Sequence, residues 1–493
     1  MNQISSIPDA IANAATWDGK ALYNGWRALS GEPHRVMEPA TGELLHTVAL
    51  ATPQDMAAAC AAAKAAQPKW AATPFEERAA IFRRAADILD HCADAIRPRF
   101  VRETGSVPPK VDFELGLAKG MLREAAAMLT QPHGLLLPST MNRMSIGRRV
   151  PHGVVGVIAP FNAPMALSTR AVAPALALGN TVVLKPDPQT AYAGGYAVAA
   201  ALLEAGLPPD CLYVLPGGVD AGEALVTDAN VSMISFTGST QAGRRVGELA
   251  SRHLKRVTLE LGGKNSMIVF DDADLDVAVS SVAWGSFLHQ GQICMTTGRV
   301  LVQEGIADAF TRLLAEKADH LPVGDPNTGM VALGPVINQR QLERIDGIVR
   351  DTVAAGATLR AGGAFDKLFY RPTVLTNVKP GMRSFDEEVF GPVTSIVTFR
   401  TEDEAIALNN ATEYGLSCGI LTRSLERAMY VAHRVNTGKV HINDQTVGDE
   451  PWVPFGGSGA SGNGGRHGGP ANWEEFTQWQ WITIQDKATA YPF

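Results

Sequence analysis

From residue 152 to about 270 the chain alternates between short, unbroken apolar runs and longer segments with helical spacing. "HGVVGVIAP", "TVVLKP", "CLYVLPGG", "SMISFTGS" and "RVTLELGG" are bounded by Gly or Pro and read as strands buried on both faces. "TRAVAPALALGN", "TAYAGGYAVAAALLEAG", "AGEALVTD" and "AGRRVGELASRH" fall between them and read as helices, with Gly179-Asn180 and Gly206 as stop signals. Buried strands joined by crossover helices predict a doubly wound parallel sheet. Such sheets bind ligands beyond the carboxyl ends of their strands.

A second alternation starts near residue 266. "SMIVF" reads as a strand, "DLDVAVSSVAWGSFLHQG" as a helix, "RVLVQE" as a strand and "IADAFTRLLAEKADH" as a helix, and the pattern continues through "EVFGPVTSIVTF" and "KVHIND". This predicts a second α/β domain. "MNRMSIGRRVPHG" fits neither period and reads as an extended arm, while "EEFTQWQWITIQ" alternates aromatic and polar residues as a strand does. Both are candidates for subunit pairing. The predicted domains are 1–128 with 150–261, then 262–440, with 129–149 and 470–493 as the arm.

Composition narrows the classes. The chain of 493 residues carries a net charge of −7, which argues against a nucleic-acid or anionic-membrane partner. "MNQISSIPDAIANAATWDGK" has neither a basic nor an apolar leader region, and no apolar run is long enough to span a bilayer. The five cysteines are scattered and never form CxxC, so no disulfide framework or metal site is expected, and a cytoplasmic location is. Cys60, Cys92, Cys211 and Cys418 stand in helix- or strand-like surroundings and read as small core residues. Cys294 is different: it stands in "HQGQICMTTGR", between glycines and polar side chains.

Four further positions carry candidate chemistry. "FTGSTQAG" places Gly238, Ser239 and Gly243 at a strand-to-helix turn, where backbone N–H groups favour an anion, although GSTxxG departs from the usual GxGxxG. Lys185 ends "VVLK" where a central strand meets its ligand edge. Glu260, between Leu259 and Leu261, is expected to be desolvated and so raised toward the range of a general base. Asn162, stiffened by Pro160 and Pro164, can offer its amide to a developing oxyanion.

Taken in order, "PFN", "LKP", "FTGSTQAG", "LELGGKN", "GQIC", "EEVFGPV" and "PFGG" resemble the NAD(P)-dependent aldehyde dehydrogenases over essentially the whole chain. The resemblance implies Cys294 as nucleophile, with Asn162 and the Cys294 backbone N–H as the oxyanion hole. It implies Glu260 as the base that activates water. Lys185 and Glu388 are implied as ribose ligands, Phe390 as a neighbour of the nicotinamide, and Gly238 and Ser239 as neighbours of the pyrophosphate. Ile158, Gly218, Gly222, Phe236, Gly243 and Leu261 complete the implied cofactor contacts. The polar setting of Cys294 is then expected because substrate, cofactor and water must each reach the thiol.

"AWGSFLHQGQICMTTGR" and the segment from "KVHIND" to "FTQWQW" are similar to the branch of that family that handles benzaldehyde. Ala163, Ile293 and Met295 would leave an apolar pocket for a flat ring. The implied product is the carboxylic acid, and the implied assembly a homodimer or homotetramer. Pro188 stands where many NAD-preferring relatives carry a glutamate, and no basic residue is close by in the sequence; NAD is expected, with NADP as the alternative. Gly459 stands where relatives carry lysine. Arg170 raises a rival, a semialdehyde dehydrogenase in which it binds a substrate carboxylate. A non-catalytic binding protein on the same fold and a cofactor-free thiol esterase are the alternatives of other classes.

Overall fold

The computed structural model describes residues 7–493. Two seven-stranded sheets dominate it. In the first, β1 (Val154–Ile158), β2 (Thr181–Lys185), β3 (Leu212–Val214), β4 (Val231–Thr237) and β5 (Arg256–Glu260) are parallel in the order β5-β4-β1-β2-β3, extended by the short antiparallel pieces Ala21–Leu22 and Trp26–Arg27. The order reverses between β4 and β2 around β1, the doubly wound pattern. Strand periodicity sends alternate residues to opposite cores. Val155, Val157, Val182 and Leu184 face one cluster, with residues of α1 (Pro108–Met128) and α2 (Pro164–Ala177). Val154, Ile158 and Val183 face the other, with residues of α3 (Val219–Thr227) and α4 (Thr240–Arg252).

The second sheet contains β6 (Asn265–Val269), β7 (Thr297–Gln303), β8 (Thr373–Thr376), β9 (Val393–Phe399), β10 (Ser417–Leu421) and β11 (Lys439–Ile442) in the parallel order β8-β9-β7-β6-β10-β11, with Thr358–Ala361 antiparallel at one edge. Helices α5 (Leu275–Phe287) and α6 (Gln339–Ala354) belong to this half. Side-chain caps start both, from Asp274 and Asn338, each worth about 1 kcal/mol. Among the described residues, no helix is long and apolar enough to cross a membrane, and no cluster of His, Cys, Asp and Glu could hold a metal ion.

The two segments that stood apart from the α/β pattern pair with each other. Met144–Pro151 lies between Gly134–Leu137 and Thr477–Ile484 in a three-stranded antiparallel sheet, with Trp481 opposite Gly147.

Three details depart from the sequence pattern. The helix expected across "TAYAGGYAVAAALLEAG" winds as a π-helix over Tyr192–Tyr196, because the buried Glu103 carboxylate takes the N–H groups of Tyr192 and Ala193 at 3.0 and 2.8 Å. The helix expected through "SFLHQG" ends at Phe287, and His289, Gln290 and Gly291 turn left-handed. Residues 443–469, beyond the expected second domain, return to the first sheet: Leu261 N–H donates to Ser461 O at 3.0 Å, and Leu259 N–H to Asn463 Oδ1 at 2.9 Å.

Candidate active site

The site lies where the carboxyl edge of the first sheet faces the amino edge of the second. Asn162 follows β1, Gly238 and Ser239 follow β4, and Leu261 follows β5; Cys294 precedes β7, and Glu388 and Phe390 precede β9. All seven line one cleft of about 460 Å³. Its residues fit a dinucleotide. The N-terminus of α4, capped by Ser239 Oγ on Ala242 N–H at 3.3 Å, opens into the cleft and suits a pyrophosphate. A Cβ on Gly238 would meet the Phe236 ring at 2.6 Å, and one on Gly243 would meet Leu261 at 2.2 Å. Ile158, Lys185, Gly218 and Gly222 form a second group, on β1, β2 and the start of α3, and are not among the residues that line this cleft. Lys185 pairs in register with Ile158, donates to Gly217 O at 2.7 Å, and packs where a Cβ on Gly222 would lie 3.3 Å away.

The two glycines of "LELGGKN" let the halves close on each other. A Cβ on Gly263 would lie 2.6 Å from Cys294 O, and one on Gly262 would lie 2.2 Å from Glu388 Oε2. Asn265 then staples the cysteine segment, its Nδ2 donating to Cys294 O at 2.8 Å and Thr296 O at 2.9 Å.

The polarity around Cys294 has a different cause from solvent access. His289, Gln290, Gln292, Thr297 and Arg299 are all buried. Gln290 Nε2 donates to Gly105 O and Pro335 O at 3.0 and 2.7 Å, and Gln292 Oε1 accepts from Ile337 N–H at 3.0 Å. Arg299 donates to Lys264 O, Leu408 O and Asn409 O. These side chains satisfy irregular backbone that no helix or sheet completes. Only Cys294 among the five cysteines keeps surface, and it faces the cleft.

Burial governs the charges. It pushes the Cys294 thiol up to about 12, with Arg170 and Lys439 opposing and the Glu388 and Glu260 charges adding. Buried Cys418 is raised as far, so the thiol's position marks it out and its acidity does not. Glu260 ends β5 and is fully enclosed, both oxygens without a hydrogen-bond partner among the described residues. Desolvation raises it to about 8 against the pull of Arg170 and Arg466. Glu388 is raised by burial to about 7 while Oε1 accepts from Gly263 N–H at 3.0 Å.

Ile293 and Met295 pack with Leu416, Val447 and Phe455 around Cys294. Ala163 precedes α2 and offers no side-chain cap. Arg170, on α2, is paired with buried Asp449 and lies 4.3 Å from the Phe455 ring centroid.

Phe161, Arg340, Gln341 and Arg344 line the cleft without a role expected from the sequence. Phe161 meets Phe390 edge-on at 5.9 Å, and Phe390 is held at φ 56°, outside the range most side chains adopt. Arg340, Gln341 and Arg344 reach the cleft from α6. These side chains are remote from Lys185 in sequence and arrive at the Glu388–Phe390 side of the cleft through the fold. A thiol, an amide, a desolvated carboxylate and a phosphate-suited helix end together equip the site for covalent chemistry on a carbonyl beside a dinucleotide.

Residues 26–482 match the model of the aldehyde dehydrogenase family. The chain is 54% identical over 478 residues to a vanillin dehydrogenase of an Amycolatopsis species, and 50% identical over 478 residues to a benzaldehyde dehydrogenase [NAD(+)] of Pseudomonas putida; each alignment covers 97% of this chain and 98% of the relative. The crystal structure of a salicylaldehyde dehydrogenase from Pseudomonas putida G7, complexed with salicylaldehyde, superposes with a TM-score of 0.93 at 36% identity, covering 96% of this chain and 99% of that one. The interlocked sheets, the cleft between them and these likenesses over nearly full length agree, and the chain belongs to the aldehyde dehydrogenase family.

Proposed function

We propose that the protein oxidises aromatic aldehydes to carboxylic acids with NAD as the electron acceptor, using one water per turnover. The observation that carries this reading is the meeting of Cys294 and Asn162 in one cleft, with the charge of the desolvated Glu260 felt by the thiol. Relatives named for vanillin, benzaldehyde and salicylaldehyde support the aromatic substrate.

Cys294 Sγ attacks the aldehyde carbon. Its thiol is protonated at neutral pH, so a base must take the proton, and Glu260, raised to about 8, is suited to hold it. The Asn162 amide and the Cys294 backbone N–H receive the oxyanion, each such donor being worth about 3–4 kcal/mol. Bound NAD supplies the acceptor for the hydride that leaves the substrate carbon. Lys185 and Glu388 would hold its ribose hydroxyls, and Phe390 would limit where the ring can lie. Glu260 releases the thiol's proton to solvent, then takes a proton from the water that attacks the acyl–Cys294 carbonyl; the C–S bond breaks, Cys294 Sγ leaves as thiolate, and the acid departs. A fixed base beside the thioester favours hydrolysis over acyl transfer to coenzyme A.

The pocket chemistry supports a ring. Ile293, Met295, Leu416, Val447 and Phe455 are apolar, and Ala163 is small. An apolar cavity of about 600 Å³, lined in part by Phe113, Trp284, Phe287 and Val447, offers a flat aldehyde an approach from outside the cofactor cleft. The rival semialdehyde reading asks Arg170 to bind a carboxylate. Asp449 already compensates its charge, although Nη1 has no partner among the described residues. The name of the Pseudomonas putida relative supports NAD, and Asp187 beside Lys185 is unfavourable to a 2′-phosphate. Leu135, Leu136, Trp479 and Trp481 are exposed on the three-stranded arm and support pairing with a second copy as a homodimer or homotetramer. Five free cysteines suit a reducing compartment such as the cytoplasm.

The test is the initial rate of nicotinamide reduction with benzaldehyde, vanillin and succinic semialdehyde, each with NAD and NADP. Preference for the aromatic aldehydes and NAD is expected. A preference for succinic semialdehyde would overturn the substrate reading.

A further inference from the structure

A buried polar cluster abuts the main chain of Asn162, and the chemistry above leaves it unused. Lys110 and Glu114 stand four residues apart on α1, 5% and 1% exposed, and form an ion pair. Lys110 Nζ also donates to the backbone carbonyl of Asn162 at 2.7 Å. Glu114 Oε2 accepts from Met165 N–H at 3.1 Å and Ala166 N–H at 3.2 Å. These are the first free amides of α2, because Pro164 has none and Ala163 supplies no cap. A carboxylate from a neighbouring helix therefore replaces the missing cap.

Packing alone does not account for the pair. Two charges taken out of water are weakly stabilising at best, and apolar side chains of similar volume would fill the space as well. What apolar residues cannot do is grip the chain on both sides of one asparagine. We propose that Lys110 and Glu114 are positioning residues for the Asn162 amide: one fixes the carbonyl of Asn162, the other fixes the helix start three and four residues later, and together they set where the amide N–H meets the oxyanion. This inference rests on the reading of Asn162 as an oxyanion donor.

A kinetic cycle tests it. K110M, E114Q, N162A and the two doubles with N162A are assayed for kcat and KM with benzaldehyde and NAD. N162A is expected to lower kcat by about 100-fold or more. K110M and E114Q are each expected to lower it by about tenfold, with KM for NAD unchanged, because a misaimed donor loses part of what a deleted one loses. The doubles are expected to match N162A within about twofold, since the pair acts through that amide. Losses that multiply in the doubles, or single variants with full kcat, would overturn the positioning role. Full kcat in N162A would instead overturn the reading of Asn162 itself. E114Q keeps the volume of the side chain but loses its charge and one of its two oxygens, so it cannot both hold Lys110 and accept fully from Met165 and Ala166, and it carries the cycle if K110M fails to fold.

Discussion

Gly262 and Glu388 approach so closely that a Cβ on the glycine would lie 2.2 Å from Glu388 Oε2. One residue follows the last strand of the first sheet and the other precedes β9 of the second, so this contact sets how the cofactor carboxylate meets the opposite half. The substitution G262A must push the carboxylate away and break its hydrogen bond to Gly263 N–H. KM for NAD is expected to rise about tenfold, the loss of one charge-assisted hydrogen bond, with little change in thermal midpoint. Steady-state kinetics beside a melting curve checks both halves of the statement.

The cysteines provide a second test. Cys60, Cys92, Cys211 and Cys418 are buried, and only Cys294 has surface. Iodoacetamide on the folded protein is expected to alkylate Cys294 alone, faster as pH rises toward its raised pKa. C294A should fold, resist alkylation and lose aldehyde oxidation altogether. Peptide mapping of the labelled protein identifies the site. Labelling of Cys92 or Cys211 at a comparable rate would contradict the packing described.

Glu260 ends a strand, and Asn162 and Cys294 lie within four residues of one, so the apolar runs marked the edge on which they stand. The roles expected of them came from the resemblance of the ordered motifs and not from periodicity. What could not be read depends on distant pairing. Arg340 and Arg344 lie on a helix with no motif, and only the fold of α6 against β9 brings them to the cleft. Asp449 is 279 residues from Arg170, so the ion pair that neutralises the arginine is invisible locally. The left-handed turn at His289 and Gln290 is fixed by hydrogen bonds to residues 105 and 335, which helix periodicity cannot sense.

Glu260 ties activity to pH in a stated direction. Burial raises its pKa to about 8, so the fraction ionised, and with it the rate of a step that needs the base, is expected to rise with pH through that value. Stability moves the opposite way. Between about 4.5 and 8 the folded carboxyl holds a proton that the unfolded one has lost, so unfolding releases protons and stability falls across that window. E260Q removes both effects. It should abolish the pH limb, slow both the attack by Cys294 and the release of the acid, and melt higher than the parent at pH 8–9 while matching it near pH 4. A variant that keeps the limb would show that another group sets it.

Arg170 separates charge from substrate recognition. Its guanidinium is 6% exposed, faces Asp449 and Phe455, and lowers the pKa of both Glu260 and Cys294. R170L leaves Asp449 buried without its partner, an error that typically costs about 3–5 kcal/mol, so stability is expected to fall clearly. R170L/D449L removes both charges and is expected to recover most of that loss. In the double variant the Glu260 limb should move slightly to higher pH, because the lost Arg170 cation outweighs the lost Asp449 carboxylate, which pushed the other way. If Arg170 serves the site through this field, benzaldehyde and succinic semialdehyde lose rate by the same factor. If it binds a substrate carboxylate, the semialdehyde loses far more, and the ratio of the two kcat/KM values distinguishes the outcomes.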